Sequence, residues 1–303
     1  PLMKNHGNYI VSLGNVCKWL GEVAESLGVE VYPGFSAAEV LIDENDKVYG
    51  VATGDMGVSK DGLAKESWES GMELHAKYTL FSEGARGSLS KFLIDNFELS
   101  KDSDHQKYAI GIKELWEVEE KNHQEGLVEH SMGWPLSEGT GGGSFLYHFG
   151  QNLVSIGYVV HLNYTNPYVS PFDEFQQFKT HPSIKKILEG GKRISYGARA
   201  ITAGGFQSVP KLFFPGGALI GCSAGFLNYP KIKGTHNAME SGILAAESII
   251  ENFLSENQNN DLSNYQEKYE SSRIAKELKK VRNVKPFQSR YGVFLGTILS
   301  GID

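Results

Sequence analysis

The sequence is poor in cysteine, lacks long apolar runs and carries no excess of positive charge, and each absence excludes a class of protein. The two cysteines, Cys17 and Cys222, lie 205 positions apart. They form neither a disulfide framework nor the C-x-x-C spacing of a zinc or iron–sulfur site. The charge-free stretch at residues 291–302 has twelve residues, three of them glycine, whereas a membrane-spanning helix needs about 20. We therefore expect no cysteine-bound metal and no simple transmembrane helix.

The charge balance argues against a nucleic-acid partner. Asp and Glu number 36 against 29 Lys and Arg, for a formal net charge of −7, and holding nucleic-acid phosphates requires clustered positive charge. With 40% hydrophobic and 21% charged residues, the 303-residue chain has the composition of a globular protein. Its length predicts about two domains or one large interleaved unit. Because the chain starts with Pro1 and opens with no signal peptide, we expect it to be a segment of a longer protein.

The first hundred residues have the pattern of an α/β sheet with an attached β-ribbon. Apolar residues at helical spacing predict a helix over 15–27, closed by Gly28 in a left-handed conformation. Alternating or continuous apolar patterns then predict four strands. These strands are 29–32, 38–42, 48–52 and 74–81.

From about residue 105 the pattern changes to successive strands joined by tight turns, which predicts an antiparallel sheet. The segments concerned are 108–116, 128–134, 144–149 and 153–162. Two short helices follow at 171–178 and 182–188, each opened by a proline. A short strand at 218–220 and a long helix marked by Met239, Ile243 and Ile250 then return to an α/β pattern.

Glycine is abundant, with 35 residues, and it falls in clusters. Clustered glycine is typical of tight turns or of backbone that approaches a ligand closely. The first cluster lies in residues 80–88, where a strand runs into a glycine turn with a helix behind it. Such a turn allows backbone N–H groups and a helix N-terminus to face an anion. An ordinary strand–turn–helix corner is the alternative.

A second glycine cluster spans residues 214–226 and precedes the long helix, which starts near Thr235. The helix N-terminus places partial positive charge where a reduced flavin would carry its anion. A βα corner with small residues for packing explains each glycine singly, but not the ordered pair of corners.

A third cluster, residues 140–149, sets three glycines before an aromatic strand. A bulge or loose turn is one interpretation. Alternatively, bare backbone groups at a slot lined by Phe145 and Tyr147 could hold a flat carbonyl ligand such as a quinone.

The other reactive side chains predict no metal site and no nucleophile. The nine histidines form no H-x-x-x-H or H-x-H pattern, and the strand residues His130, His148 and His161 are interpreted as surface or hydrogen-bonded core residues. Cys17 and Cys222 are interpreted as small buried thiols. A basic run near the C-terminus predicts a solvated helix face and, joined to residues 291–299, also looks like a segment resting on an anionic bilayer. The run consists of Lys276, Lys279, Lys280, Arg282 and Lys285.

Collinear stretches along nearly the whole chain resemble the electron transfer flavoprotein–ubiquinone oxidoreductase family, which carries FAD and an iron–sulfur cluster. The stretches include residues 6–10, 28–34, 72–77, 113–116, 142–148, 181–184, 188–193, 215–217, 219–222 and 231–236. None is decisive alone, but their order is specific. The G-x-G-x-x-G after a strand and the cysteine-rich 4Fe–4S module of the family pattern do not occur in these residues, so the chain resembles a fragment without cluster ligands.

The resemblance implies an α/β (α+β) fold, in which an FAD-binding domain of the glutathione-reductase type is interleaved with a mostly antiparallel β quinone-binding domain. The implied division is 1–104 in the FAD-binding domain, 105–200 in the quinone-binding domain, 201–257 in the FAD-binding domain again, and 258–303 as a helical segment facing a membrane.

The resemblance also implies individual sites. Glu83, Gly84, Arg86 and Gly87 would line the FAD ribityl or phosphate side. Gly221, Cys222, Ser223 and Gly225 would form the corner beside the ribityl chain. Gln207, Thr235 and Asn237 resemble residues near the flavin ring. Gly142 and Gly143 match quinone-contacting glycines. Two positions depart from familiar patterns: Gly141 stands where a tyrosine is familiar, and Ser223 stands where related flavoenzymes often have an aspartate.

The implied reaction passes electrons from reduced electron transfer flavoprotein to ubiquinone at the mitochondrial inner membrane or the bacterial cytoplasmic membrane. The implied partners are thus that flavoprotein, ubiquinone and a membrane surface, and the cofactors supply the redox chemistry. Two alternatives remain open. One is a flavin-dependent reductase of isoprenoid (geranylgeranyl) lipids, and the other is an inactive fragment.

Overall fold

The computed structural model describes residues 5–137, 139–255 and 261–302. Up to residue 161 the elements are α1 (Leu13–Ser26), β1 (Ala37–Ile42), β2 (Val48–Thr53), β3 (Met56–Val58), β4 (Ala64–Glu69), β5 (Glu73–His75), β6 (Thr79–Phe81), α2 (Ser88–Asn96), β7 (Tyr108–Glu117), β8 (Val128–Met132), β9 (Gly142–Phe149) and β10 (Leu153–His161). After it they are α3 (Pro171–Lys179), α4 (Pro182–Leu188), β11 (Lys192–Thr202), β12 (Phe213–Phe214), β13 (Gly217–Leu219), α5 (Thr235–Leu254), α6 (Ser263–Ser271), α7 (Arg273–Lys280) and α8 (Val284–Ser300).

A five-stranded antiparallel sheet in the order β11-β7-β10-β9-β8 occupies the middle of the chain, which confirms the predicted antiparallel sheet. Alternate residues of its central strand β10, including Ile156 and Tyr158, are fully buried and pack with Phe175 and Phe178 of α3. Burying each such side chain stabilises the fold by roughly 1.5–3 kcal/mol. The opposite face of the sheet is therefore left for other contacts.

A second sheet has the order β12-β13-β6, with β13 parallel to β6 and antiparallel to β12. Its core combines residues from both ends of the chain: Phe81 and Leu93 pack in one cluster with Phe214, Ala245 and Leu278. The chain leaves this cluster after α2, builds the five-stranded sheet, and returns to it at β12. Two buried cores are thus formed.

Two strand predictions are wrong in detail, and other strands were missed. Residues 29–32 form no strand, because no part of the chain that the structure describes pairs with them. The predicted strand 74–81 is split in two, since β5 pairs with β2 whereas β6 pairs with β13. The polar stretch 54–71 contains the β3–β4 hairpin, which its polarity had concealed, and β11 was not predicted either.

The predicted helices are confirmed, with ends shifted by a few residues. Helix α1 has no buried residue, so Cys17 is exposed and its interpretation as a buried thiol is wrong. Helix α8 has a non-helical residue at Gly292, with φ 78°. No helix within the described ranges is long and apolar enough to cross a membrane.

Candidate functional site

The two glycine bends predicted from the sequence lie side by side. Strands β6 and β13 are parallel neighbours. The polypeptide therefore leaves both strands at the same end of the sheet. The Ile220 N–H donates to the Phe81 carbonyl oxygen at 3.0 Å. Beyond it, Ser223 Oγ donates to the Gly84 carbonyl oxygen at 3.3 Å. The two bends therefore form one edge of the molecule.

In the first bend, Glu83 fixes the start of helix α2. Its carboxylate accepts hydrogen bonds from the backbone N–H of Ser90 at 2.6 Å and of Leu89 at 3.3 Å, and from Ser90 Oγ at 2.7 Å. A Cβ at Gly87 would overlap the Glu83 side chain, so the tight turn requires glycine there. This capping uses both carboxylate oxygens of Glu83, which makes the residue a support of the bend.

The first bend exposes Gly84 and Arg86 to a ligand. Gly84 has φ +86°, the left-handed region that glycine enters without strain. Arg86 is exposed, and its guanidinium lies 5.1 Å from the centroid of the Tyr108 ring. A cation at the open edge of a glycine bend is suited to an anionic group.

The second bend is held by helix α5. The Gly221 N–H donates to Ser241 Oγ at 2.9 Å, and a Cβ at Gly225 would come within 2.5 Å of the Gln106 side-chain nitrogen. Burial raises the pKa of the Cys222 thiol above its usual value. Cys222 is half-buried, so its interpretation from sequence as a buried thiol holds only in part.

Helix α5 begins with Thr235, and its N-cap residue Gly234 provides no side-chain hydrogen bond. Thr235 is exposed and Asn237 is fully buried. The Asn237 side-chain nitrogen donates to the Phe226 carbonyl oxygen at 2.9 Å, while its Oδ1 is buried without a partner within the described chain. An orphaned buried acceptor beside a helix N-terminus is a position at which a ligand N–H or O–H would be stabilised.

Gln207 is held by the segment between α7 and α8. Its side-chain nitrogen donates to the Arg282 carbonyl oxygen at 2.9 Å. Its Oε1 is buried and, like Asn237 Oδ1, has no partner among the described residues. The Gln207 Oε1 is thus an acceptor that remains for a ligand.

A cavity of about 1360 Å³ lies on the face of the five-stranded sheet opposite α3. Gly142, Gly143 and Phe145 lie in its wall, but Tyr147, which was expected beside Phe145, is not among the lining residues. A Cβ at Gly142 would overlap the Val159 carbonyl oxygen, and one at Gly143 would overlap the Ser131 carbonyl oxygen. Both positions therefore require glycine, and both leave bare backbone at the cavity.

Glycines on three strands line the floor of the cavity around Val159. Gly143 of β9 and Gly111 of β7 both lie opposite Val159 of β10, and Gly197 of β11 is close by in the same wall. Helix α8 and the loop at residues 227–232 contribute the other side of the cavity. Such a wide, mainly apolar space with few polar groups is typical of a site for a flat organic ligand.

Comparison with known proteins agrees with this geometry. Residues 108–201, which contain β7 to β10 and most of β11, match the family model described as "ETF-QO, ubiquinone-binding". The human mitochondrial electron transfer flavoprotein-ubiquinone oxidoreductase is 56% identical over 308 residues, covering 99% of this chain and 50% of that protein. The Pseudomonas aeruginosa relative is 52% identical over 303 residues, covering 99% and 55%.

Residues 108–201 are thus similar to the ubiquinone-binding domain of this family. The resemblance seen in the sequence is thereby confirmed. The chain spans about half the length of these curated relatives.

Solved structures show the same fold at low sequence identity. A geranylgeranyl bacteriochlorophyll reductase-like protein from Thermoplasma acidophilum superposes with a TM-score of 0.72 at 18% identity, covering 99% of this chain and 70% of that chain. The flavin-dependent brominase Bmp2 gives 0.64 at 16% identity, covering 97% and 67%. The mixed α/β class with antiparallel strands is confirmed, and its neighbours include flavin-dependent enzymes.

A buried pair, made by β10 and α8, was missed by sequence reasoning. His161 at the end of β10 is 4% exposed and Lys285 in α8 is 9% exposed, and Lys285 Nζ contacts His161 Nδ1. Burial, followed by the charge of Lys285, lowers the pKa of His161 to about 3. Burial, followed by the charge of Lys107, lowers the pKa of Lys285 to about 8.

The interpretation of the basic run as a solvated face holds for Lys276, Lys279 and Lys280, which are exposed, and is wrong for Lys285. The reason is that α7 ends at Lys280 and a new helix starts at Val284, so the helical spacing across the run does not continue. His148 is a hydrogen-bonded core residue as predicted, since its Nδ1 accepts from the Gln124 N–H at 3.1 Å.

Glu277 ties the start of α5 to α7. It accepts hydrogen bonds from Asn228 at 2.7 Å and from His236 Nε2 at 3.0 Å, and it lies 3.4 Å from Lys231 Nζ. Burial favours its neutral form, but these three partners outweigh burial and lower the pKa of Glu277. No group of three metal-binding side chains occurs in the ranges that the structure describes.

Proposed function

We propose that this chain supplies the ubiquinone cavity and part of the FAD site of a flavoprotein that passes electrons from reduced electron transfer flavoprotein to ubiquinone. The single observation that supports it best is the glycine-floored cavity, built from strands that match the family's ubiquinone-binding model. The complete reaction belongs to a polypeptide about twice as long, as in the relatives.

The residues at the two bends fit a bound FAD. Gly84, Arg86 and Gly87 would take its phosphate or ribityl side, opposite Ser223 and its neighbours Gly221, Cys222 and Gly225. Gln207, Thr235 and Asn237 would lie nearer the ring, and the orphaned oxygens of Gln207 and Asn237 support this because the isoalloxazine ring carries an N–H donor. Glu83 would act by holding α2. When bound, FAD would accept and release the electrons singly.

In the cavity, Gly142 and Gly143 would bind a quinone through backbone groups alone. Their missing side chains allow the flat ring to approach the strand, and Phe145 would contact its face. Residues 1–104 and 201–257 of the proposed FAD-binding domain share one core around the separate core of 105–200, and residues of the segment 258–303 such as Leu278 also join the first core. We place the helical segment 258–303 at a mitochondrial inner or bacterial cytoplasmic membrane, where exposed Phe294, Leu295 and Ile298 of α8 would contact lipid. A 4Fe–4S cluster would be bound elsewhere in the complete protein.

The test uses the full-length protein that carries this chain, reconstituted with FAD. After chemical reduction it should convert a soluble short-tailed ubiquinone to the quinol. Gly143→Ala should abolish this conversion by intruding on the Ser131 carbonyl and the cavity, while Gly242→Ala, whose Cβ meets nothing within 4 Å, should leave it unchanged. Saturation of a prenyl chain without quinol formation would favour the isoprenoid-lipid reductase, and complete loss of flavin from the isolated chain on desalting would favour the inactive fragment.

A further inference from the structure

His161 and Lys285 lie between two cavities of different character. His161 lies in the wall of the large, mainly apolar cavity. Lys285 lies in the wall of a smaller cavity of about 230 Å³, together with Asn163 and Ser289. Gly142 and Tyr229 belong to both walls. The side-chain contact between Lys285 and His161 therefore connects a polar space with the proposed quinone site.

The contact defines which imidazole nitrogen carries the proton. An ammonium group can only donate, so His161 Nδ1 must accept from Lys285 Nζ. A neutral imidazole that accepts at Nδ1 carries its hydrogen on Nε2. His161 Nε2 has no hydrogen-bond partner within residues 5–137, 139–255 and 261–302. The N–H that remains is thus free to donate, and His161 lies in the wall of the large cavity.

A structural role explains this pair poorly. Burying an ammonium group is costly unless a carboxylate neutralises it, and none of the described carboxylates lies within ion-pair distance of Lys285. The groups around the pair are a second cation and neutral polar side chains. The cation is Lys107, from the segment before β7. The Tyr229 ring lies 5.3 Å from the His161 ring and 5.5 Å from Lys285 Nζ. Gln288 of α8 accepts a hydrogen bond from the Tyr229 hydroxyl at 2.6 Å.

We propose that Lys285 and His161 form a proton relay from the small polar cavity to the oxygen of a quinone bound at Gly142 and Gly143. This inference rests on the proposed function, because the two electrons that accompany the protons come from the reduced flavin. His161 as the proton donor, and Lys285 as the residue that reprotonates it, are assigned independently of which protein supplies the electrons.

The relay balances the reaction in atoms and charge. As the quinone oxygen gains negative charge, the His161 Nε2–H bond breaks and the proton forms an O–H bond with that oxygen. Lys285 gives one of its ammonium protons to His161 Nδ1, and a tautomeric shift of the imidazole restores its starting form. Lys285 then takes a proton from water in the small cavity. One such cycle protonates this oxygen, the opposite quinone oxygen takes its proton from water, and with two electrons from the reduced flavin one quinone would become one quinol.

The measured pH dependence should follow Lys285. Its pKa, lowered to about 8 by burial and by Lys107, leaves it protonated at neutral pH while allowing it to lose a proton. Quinone reduction should therefore decline as the pH rises through about 8. His161, with a pKa lowered to about 3, stays neutral throughout and so keeps its accepting nitrogen.

The experiment uses the full-length flavoprotein, reduced chemically and mixed by stopped flow with ubiquinone-1 or with ferricenium, an acceptor that takes no proton. His161→Gln keeps a donor and an acceptor but transfers no proton, and Lys285→Arg keeps the charge but does not release a proton. Both should slow ubiquinone-1 reduction about 10²–10⁴-fold, the usual contribution of a positioned acid. Ferricenium reduction and the dissociation constant of ubiquinone-1 from the oxidised protein should change less than about twofold, and exposed Lys276→Arg should change nothing.

Each other outcome contradicts the relay. Wild-type rates of quinone reduction in both variants, with an unaltered pH profile, would exclude it while leaving the proposed function intact. An equal loss of quinone binding and rate would reduce the pair to a structural role. A wild-type protein that reduces ferricenium but not ubiquinone-1 would overturn the proposed function and the relay together.

A second measurement requires no variant at position 161. Lysines of the unreduced full-length protein are ¹³C-methylated, and the Lys285 NMR signal is assigned by its absence in Lys285→Arg. That signal should titrate near pH 8 and shift when ubiquinone-1 is added. Titration with the exposed lysines, near the ordinary value of about 10.4, would contradict the relay.

Discussion

Ser223 and Gly84, which are 139 positions apart in the chain, are joined by a hydrogen bond of 3.3 Å from the serine Oγ to the glycine carbonyl oxygen. The bond connects the two glycine bends that follow the parallel strands β6 and β13. Each bend turns away from the sheet toward a helix, α2 or α5. The edge so formed is the place where we propose that FAD binds.

Replacing Ser223 should loosen this edge. Ser223→Ala leaves the Gly84 carbonyl without its partner, and we expect the free energy of unfolding to fall by about 0.5–1.5 kcal/mol. The affinity for FAD should also decrease, as measured by flavin fluorescence titration of the full-length protein. Ser103→Ala, which removes only a local bond to the Ser100 carbonyl, is the matched control. Equal FAD affinity in both variants would contradict a role of the junction in flavin binding.

Glu83 should contribute to stability through helix α2. Glu83→Ala removes the acceptor for the Ser90 and Leu89 N–H groups, so the free energy of unfolding should fall by about 1 kcal/mol, in the range of an N-cap loss. Glu83→Gln keeps an acceptor oxygen and should recover part of it. The absorption spectrum of bound flavin should be the same in both variants; a shifted spectrum would indicate that Glu83 touches the ring.

The buried imidazole of His161 should make the protein less stable in acid. Its pKa is about 3 in the folded protein and about 6.5 when unfolded, so between these values the unfolded chain binds more protons. Stability from this residue is present above pH 6.5 and is lost as the pH falls toward 3. Between pH 6.5 and pH 5 the loss should be about 2 kcal/mol. Urea unfolding at both pH values measures it, and His161→Gln should lose correspondingly less than the wild type.

The apolar stripe of helix α5 should be covered in the longer protein. Met239, Ile243 and Ile250 recur at helical spacing and are each more than half exposed, an arrangement that favours contact with another apolar surface. Ile243→Lys should raise the solubility of the isolated chain but destabilise the full-length protein, as measured by thermal unfolding. Ser271→Lys, on an exposed polar surface, should do neither. Unchanged stability of full-length Ile243→Lys would show that the stripe stays uncovered.

Much of the fold could be predicted because local patterns encode it. The alternation in β10 and the proline and glycine at the ends of α3 and α4 determine those elements through interactions between residues that are close in the sequence. The segment 29–32 was mispredicted because a strand needs a partner, and none of the described residues provides one. The split of 74–81 has the same origin, since its two halves pair in different sheets.

The candidate site was predictable only in its pieces. Glycine at 84, 142, 143 and 221 signals close backbone approach wherever it occurs, since these positions either need a left-handed conformation or have no room for a Cβ. The role of Glu83 as a helix cap and the burial of Lys285 were not predictable. Both depend on where a separate segment ends, and charge and spacing alone carry no information on that.

By itself, the sequence determined the kind of most elements and the presence of three glycine clusters, because these follow from residue type and period along the chain, and its collinear stretches gave the family resemblance. Only the tertiary structure decided that the bends at Gly84 and Ser223 touch, and that His161 and Lys285, 124 positions apart, contact each other between two cavities. Contacts of this kind arise from strand order and helix packing, which bring distant positions together for reasons that no local pattern records.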